Sequence, residues 1–133
     1  MSDERTRYRL DRLDGMVPAF ALTVIRLLRA MDALGHPMFI TDAGRTTEQQ
    51  MVLYAKGRTA PGPIVTWVDG VTKRSNHQQA EDGFYHAVDC AFIAEHPWAE
   101  SHPWALFVGL VRLLGLHSGA DFGDRPHVSD RRG

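Results

Sequence analysis

From Pro18 the chain takes on a helical rhythm. Phe20, Val24, Leu27, Leu28, Met31 and Leu34 recur at the steps of three and four that line one face of an α-helix, with Arg26, Arg29 and Asp32 largely off it. Gly35 follows as a C-cap, so the stretch predicts an amphipathic core helix. Met38 to Thr41 reads as a short strand and Asp42-Ala43-Gly44-Arg45 as a turn. Thr46 with Gln49 three positions on forms a capping box, which opens a second helix running to about Lys56, where Gly57 ends it. Residues 58–63 are a stiff Pro/Gly loop, and Ile64 to Val68 is a β-rich run closed by the turn signal Asp69-Gly70. His86 to Ile93 has the strongest strand pattern: Val88, Cys90 and Phe92 share one face, and Ala87, Asp89, Ala91 and Ile93 the other. Pro103 suits the first turn of a third helix. Trp104, Leu106, Phe107, Leu110, Val111 and Leu114 make that helix apolar almost all round, so burial is expected. Asp121 to Ser129 reads as a turn leading into a short terminal strand.

Helices and short strands are interspersed without long βαβ crossovers, which predicts an α+β fold: about three helices on a short antiparallel sheet. No linker divides the 133 residues, so residues 1–133 are expected to form one domain, with 1–16, polar and charged, as a loosely ordered N-terminal arm. A chain of this length buries roughly two-thirds of its unfolded surface. Fifteen Lys and Arg against sixteen Asp and Glu give a net charge of −1, which argues against a nucleic-acid binder. No apolar run approaches the ~20 residues of a membrane span, and no secretory signal is visible in MSDERTRYRLDRLDG. Cys90 is the one cysteine, and inside an apolar strand it reads as packing.

Three stretches carry candidate chemistry: Ser75-Asn76-His77-Gln78, His86-Ala87-Val88-Asp89 and Asp124-Arg125-Pro126-His127. Two histidines and one aspartate are a suitable ligand set for a catalytic zinc, which keeps three protein ligands and an open position. Asp89 sits on a strand between two alanines, which leave room beside its carboxylate. Asp124, three residues before His127, is placed to take a proton from water if the chain bends there, as Gly123 and Pro126 suggest. Spacing alone leaves open whether His77 or His86 is the first ligand.

The order of motifs adds more. Ala43-Gly44-Arg45 is followed by Gln50-Met51-Val52-Leu53-Tyr54-Ala55-Lys56-Gly57-Arg58, then Ser75-Asn76-His77, Ala87-Val88-Asp89, Gly119-Ala120-Asp121-Phe122 and Asp124-Arg125-Pro126-His127. Across residues 37–128 this resembles the zinc-dependent peptidases of bacterial peptidoglycan stem peptides: the D-alanyl-D-alanine carboxypeptidases and the L-alanyl-D-glutamate peptidases found among phage endolysins. The resemblance implies a small hedgehog/D-Ala-D-Ala peptidase-like domain with Zn2+ on His77, Asp89 and His127. It implies Asp124 as general base and Arg45 as the residue that holds substrate or the developing oxyanion. Gln50 and Ser75 join Arg45 as substrate-binding candidates; Gln50 lines the cleft or positions the second helix, and Ser75 bonds local backbone or a ligand. The partner implied is peptidoglycan, met by a monomer made in a host cytoplasm and released by a holin. A carboxypeptidase, or a zinc-stabilised wall-binding domain without activity, is the alternative. Three departures stand out: the His77–Asp89 stretch is longer than in the family, which keeps His86 as a minor alternative ligand; Phe122 replaces a tryptophan; and Ser129 and Asp130 stand where a supporting glutamate is usual.

Overall fold

The computed structural model describes residues 3–71, 73–75 and 77–131. Helix α1 (Glu4–Tyr8) opens the chain, capped by the Asp3 side chain, and a 3-10 turn spans Leu10–Leu13. Helix α2 (Pro18–Ala33) carries the predicted stripe. Phe20, Val24, Leu27, Leu28 and Met31 are buried, while Leu34, just past the helix end, is exposed. Gly35 at φ +87° ends α2 in a Schellman motif, His36 N–H donating to Met31 O and Gly35 N–H to Asp32 O.

Residues 3–16 correct the expectation of a loose arm. Tyr8, Leu13 and Met16 are buried in the main core, the Tyr8 hydroxyl donates to Asp32, and Arg7 grips the same carboxylate at 2.9 and 3.1 Å. Charged residues dominate this stretch, but three apolar anchors and a bidentate ion pair suffice to dock it.

Four antiparallel strands follow in the order β1-β2-β4-β3: β1 Met38–Asp42, β2 Ala87–Phe92, β3 His117–Ser118 and β4 His127–Ser129. The alternation along β2 is as read from the sequence. Val88, Cys90 and Phe92 join the core beneath α2 and α4 (Trp104–Leu113), and Asp89 faces the other way. Helix α4 is one-sided rather than enclosed: Trp104, Phe107, Val108 and Val111 are buried, but Leu113 is 79% exposed. The β-rich run Ile64–Val68 forms no strand; it is irregular chain whose Thr66 hydroxyl and Val68 carbonyl accept from the Gln50 amide. Helix α3 (Thr47–Ala55) begins at the predicted capping box, with both Thr46–Gln49 bonds formed, and buries a single side chain, Gln50.

Candidate metal centre and cleft

The sheet register brings the first two pieces together. Asp89 lies at the middle of β2 and pairs with His127 at the start of β4, while Asp42 of β1 flanks it on the other side. Strand β4 can begin there because the preceding chain folds back tightly. Asp124 N–H donates to Gly119 O at 2.7 Å, and His127 N–H to Asp124 O at 3.1 Å. A Cβ at Gly119 would stand 2.1 Å from Asp124 O and 2.5 Å from His127 Cβ, so only glycine fits that position. The sequence motif contained Gly119, but not this reason for it.

His77 comes from irregular chain and is held by three bonds. Its carbonyl accepts from Arg45 N–H at 2.7 Å, its N–H donates to Ser75 Oγ at 3.2 Å, and its Nδ1 lies 2.9 Å from Ala43 O. A carbonyl can only accept, so Nδ1 carries the proton and Nε2 is left with a lone pair. That Nε2 points at Asp89 Oδ1 from 3.3 Å, and His127 Nδ1 approaches the same oxygen from 3.3 Å. The oxygen is buried and has no well-formed hydrogen bond. A lone pair on His77 Nε2 facing a buried carboxylate oxygen calls for something positive between them. The three donor atoms lie within 4.8 Å of one another. A tetrahedral zinc with bonds of about 2.0–2.1 Å has donor–donor edges of about 3.3 Å, so the set fits the ion in both chemistry and spacing.

The electrostatics agree. Burial drives the Asp89 carboxyl upward, but the two imidazoles outweigh it and hold the group well below the usual carboxylate range. Burial drives His77 down, and Asp89 more than reverses this, so His77 is raised. Both shifts favour a positive charge between the imidazole and the carboxylate. Burial, then the Asp89 charge, raises Asp124. Among the described residues none donates a hydrogen bond to its carboxylate, which faces the cleft.

His86 is not part of this cluster. Its Nε2 lies 2.8 Å from Asp82 and its Nδ1 2.8 Å from Asp130, so both ring nitrogens are occupied by carboxylates. It ties the long loop before β2 to the chain after β4. His127 Nε2 is buried and, among the described residues, has no hydrogen-bond partner, in keeping with Ser129 and Asp130 standing where a supporting glutamate is usual.

The centre opens into a cleft of about 740 Å³ whose walls include Arg45, Val65, Thr66, Val68, Lys73 and Phe122. A neighbouring hollow of about 850 Å³ lies beyond Arg45, bordered by Arg12, Glu48 and Tyr85, and contains none of the three ligand residues. Arg45 is clamped: one terminal nitrogen pairs with Asp42, and the other donates to Gln50 Oε1 at 2.6 Å. Gln50 is fully buried, and its amide also reaches Val68 O at 2.7 Å, so it offers a substrate no surface. Its role is to position Arg45 and the cleft wall, which corrects the substrate-binding assignment in favour of the positioning one. Ser75 borders the cleft while holding His77, so it bonds local backbone. Gln78, which sequence reasoning passed over, is a second buried amide, binding Ser75 N–H, Thr47 and Gly70 O. Cys90 is fully buried on the core face with its thiol pushed far up, so it is no nucleophile. Trp104 at the start of α4 is core, and Trp98 in the chain before it is exposed and outside the cleft lining.

No family model matches the chain. It is similar to the peptidoglycan L-alanyl-D-glutamate endopeptidase CwlK of Bacillus subtilis strain 168, at 30% identity over 101 residues, or 71% of this chain. The chain spans 60% of that relative's length. The crystal structure of the Serratia marcescens L-Ala D-Glu endopeptidase ChiX shares the fold, with a TM-score of 0.63 and 19% identity, covering 92% of this chain and 85% of the other.

Proposed function

We propose that this chain is a zinc peptidase that hydrolyses the L-alanyl–D-glutamate bond of peptidoglycan stem peptides. The observation that carries the reading is the buried Asp89 oxygen with imidazole nitrogens 3.3 Å away on two sides, without a well-formed hydrogen bond among the described residues, at the floor of an open cleft. The sequence relative and the fold relative are both described as endopeptidases for that bond, which favours it over D-Ala–D-Ala. A wall-binding domain with zinc for stability alone would have no use for Asp124.

His77 Nε2, Asp89 Oδ1 and His127 Nδ1 would hold the ion. Zinc, when bound, supplies Lewis acidity towards the scissile carbonyl and acidifies water. Asp124 takes the proton of the attacking water and returns it to the leaving amine. An unbonded carboxylate of raised pKa suits both halves of that task. Arg45 stands on the cleft wall with its plane fixed by Asp42 and Gln50, so its remaining N–H groups are pre-aimed at a carbonyl oxygen. The endolysin setting rests on the sequence resemblance and goes with the reading as a proposal.

The test is digestion of purified peptidoglycan, with and without a chelator, and mass spectrometry of the products. New N-terminal D-glutamate with chelator sensitivity is expected. Release of D-alanine instead would replace the endopeptidase by a carboxypeptidase, and intact peptidoglycan with zinc bound would refute the activity. Lysis of outer-membrane-stripped cells by added protein tests the endolysin role.

A further inference from the structure

Three cations line the cleft: Arg45, Lys73 and Arg74. They are not equivalent. The Arg45 charge is neutralised by Asp42. Arg74 gives one N–H to Gln79 O at 3.0 Å and has no carboxylate partner among the described residues. The Lys73 ammonium is exposed and has no ion-pair partner among the described residues. The positive charge the cleft can offer a ligand therefore lies at Lys73 and Arg74, on the segment that leads into Ser75 and His77.

That segment is built, not merely present. Asp69 Oδ1 accepts from Val71 N–H at 2.9 Å and Lys73 N–H at 3.0 Å, and Gly70 N–H donates to Lys73 O at 2.9 Å. Gly70, at φ +91°, lies so close to Gln50 that a Cβ there would meet its side chain at 2.9 Å. Its carbonyl accepts from the buried Gln78 amide at 3.0 Å. The two buried glutamines thus root the turn on which Lys73 stands, and its backbone position is set before any substrate arrives.

The chemistry of the proposed substrate supplies a matching group. In a stem peptide the chain continues from D-glutamate through its γ-carboxyl. The α-carboxylate therefore stays free, on the carbon bonded to the scissile amide nitrogen. We infer that Lys73, with Arg74 beside it, forms a carboxylate subsite that receives the α-carboxylate of D-glutamate, and that the enzyme selects against stem peptides in which this group is amidated to isoglutamine. The inference rests on the peptidase reading and adds to it the residue that sets specificity. A point-charge ammonium on a fixed turn distinguishes a carboxylate from a carboxamide, whereas the Arg45–Asp42 pair does not, being already neutral.

The experiment compares an N-acetylated L-Ala-D-Glu stem tetrapeptide with its α-carboxamide twin, using zinc-loaded protein. The wild type should prefer the acid by roughly tenfold to a hundredfold in kcat/KM, chiefly through KM, the range expected for one charge-assisted contact. Lys73→Met should lose that preference by weakening the acid far more than the carboxamide, with zinc content unchanged. Lys73→Arg should restore most of it, which separates charge from folding. Equilibrium binding of both peptides to zinc-loaded Asp124→Asn should show the same ranking without turnover. Equal cleavage of the two peptides by the wild type, or an equal loss on both in Lys73→Met, overturns the subsite and leaves the peptidase standing. Failure to cleave or bind either peptide refutes the peptidase reading, and the subsite with it.

Discussion

Asp124→Asn separates the proposed chemistry from the proposed metal site. The substitution keeps the shape of the side chain and removes its ability to take a proton. Among the described residues nothing donates to the Asp124 carboxylate, so no hydrogen bond is lost, and global stability should stay within about 0.5 kcal/mol of wild type. The donor atoms of the metal centre belong to other residues, which keep their anchors: His77 on Ala43 and Ser75, His127 in register with Asp89. The carboxylate is nevertheless near enough to feel Asp89 and both histidines. Losing its negative charge should weaken zinc binding modestly, by less than about tenfold in a solvent-exposed cleft of high effective dielectric. Turnover should fall much further. A positioned general base contributes about 10²- to 10⁴-fold, or about 2.7–5.4 kcal/mol in the activation barrier. The assay is kcat on a soluble muropeptide at saturating zinc, with metal content measured on the same sample. A variant that keeps full zinc occupancy and turns over within tenfold of wild type would refute Asp124 as the base. A variant that loses its zinc would show that Asp124 belongs to the ligand set instead.

Three further outcomes follow from the geometry. Zinc at a hundred times its dissociation constant should stabilise the protein by about 2.7 kcal/mol, read as a rise in melting temperature; His127→Ala should abolish the rise and His86→Ala should keep it, and the reverse pattern would move the ligand to His86. In the metal-free protein the Asp89 carboxyl is depressed, so its contribution to stability is present above its unfolded pKa of about 3.9 and fades as pH falls towards the lowered value. His77 is raised, so its contribution is full below the unfolded histidine value of about 6.5 and is lost as pH rises through the raised one. Melting of the zinc-free protein should therefore be highest between about pH 4 and 6.5, and a monotonic rise to pH 8 would contradict the raised His77. Gly119→Ala forces a Cβ to within 2.1 Å of Asp124 O, so denaturant unfolding should show a loss of about 1–3 kcal/mol, with weaker zinc binding because the same turn carries His127; an alanine variant as stable as wild type would mean that the turn has room to spare.

The elements that could be read from the sequence are those whose pattern and partner lie close together. The α2 stripe, the Thr46–Gln49 capping box and the alternation along β2 each state their environment within a few residues. What escaped depends on partners elsewhere. Strand β3 has two residues, too few to show a period, and exists because β4 lies beside it. Ile64–Val68 has strand composition, but its Thr66 hydroxyl and Val68 carbonyl are taken by the Gln50 amide rather than by a ladder. Helix α4 has apolar residues on every face, but the core has only one side to offer it. The N-terminal residues look solvated until Tyr8 and Arg7 find Asp32 on α2.

The candidate metal centre was legible for a different reason, and the same reason explains where reading stopped. A candidate ligand is confined to a few residue types, so Asp89 and His127 stand out as short motifs in the sequence. The residues that aim them carry no such constraint on appearance. Gln50 and Gln78 look like ordinary helix and loop glutamines, and a substrate contact is the natural guess for an amide near a cleft. Their burial reverses that guess, because a buried amide must spend its donors and acceptor on protein, and each spends them on the walls around the centre. His86 makes the complementary case. Its sequence position beside β2 suits a ligand as well as His77 does, yet two carboxylates, Asp82 from the long loop and Asp130 from beyond β4, reach it first. The longer loop that made His86 a plausible ligand also supplies Asp82, the group that withdraws it from the site.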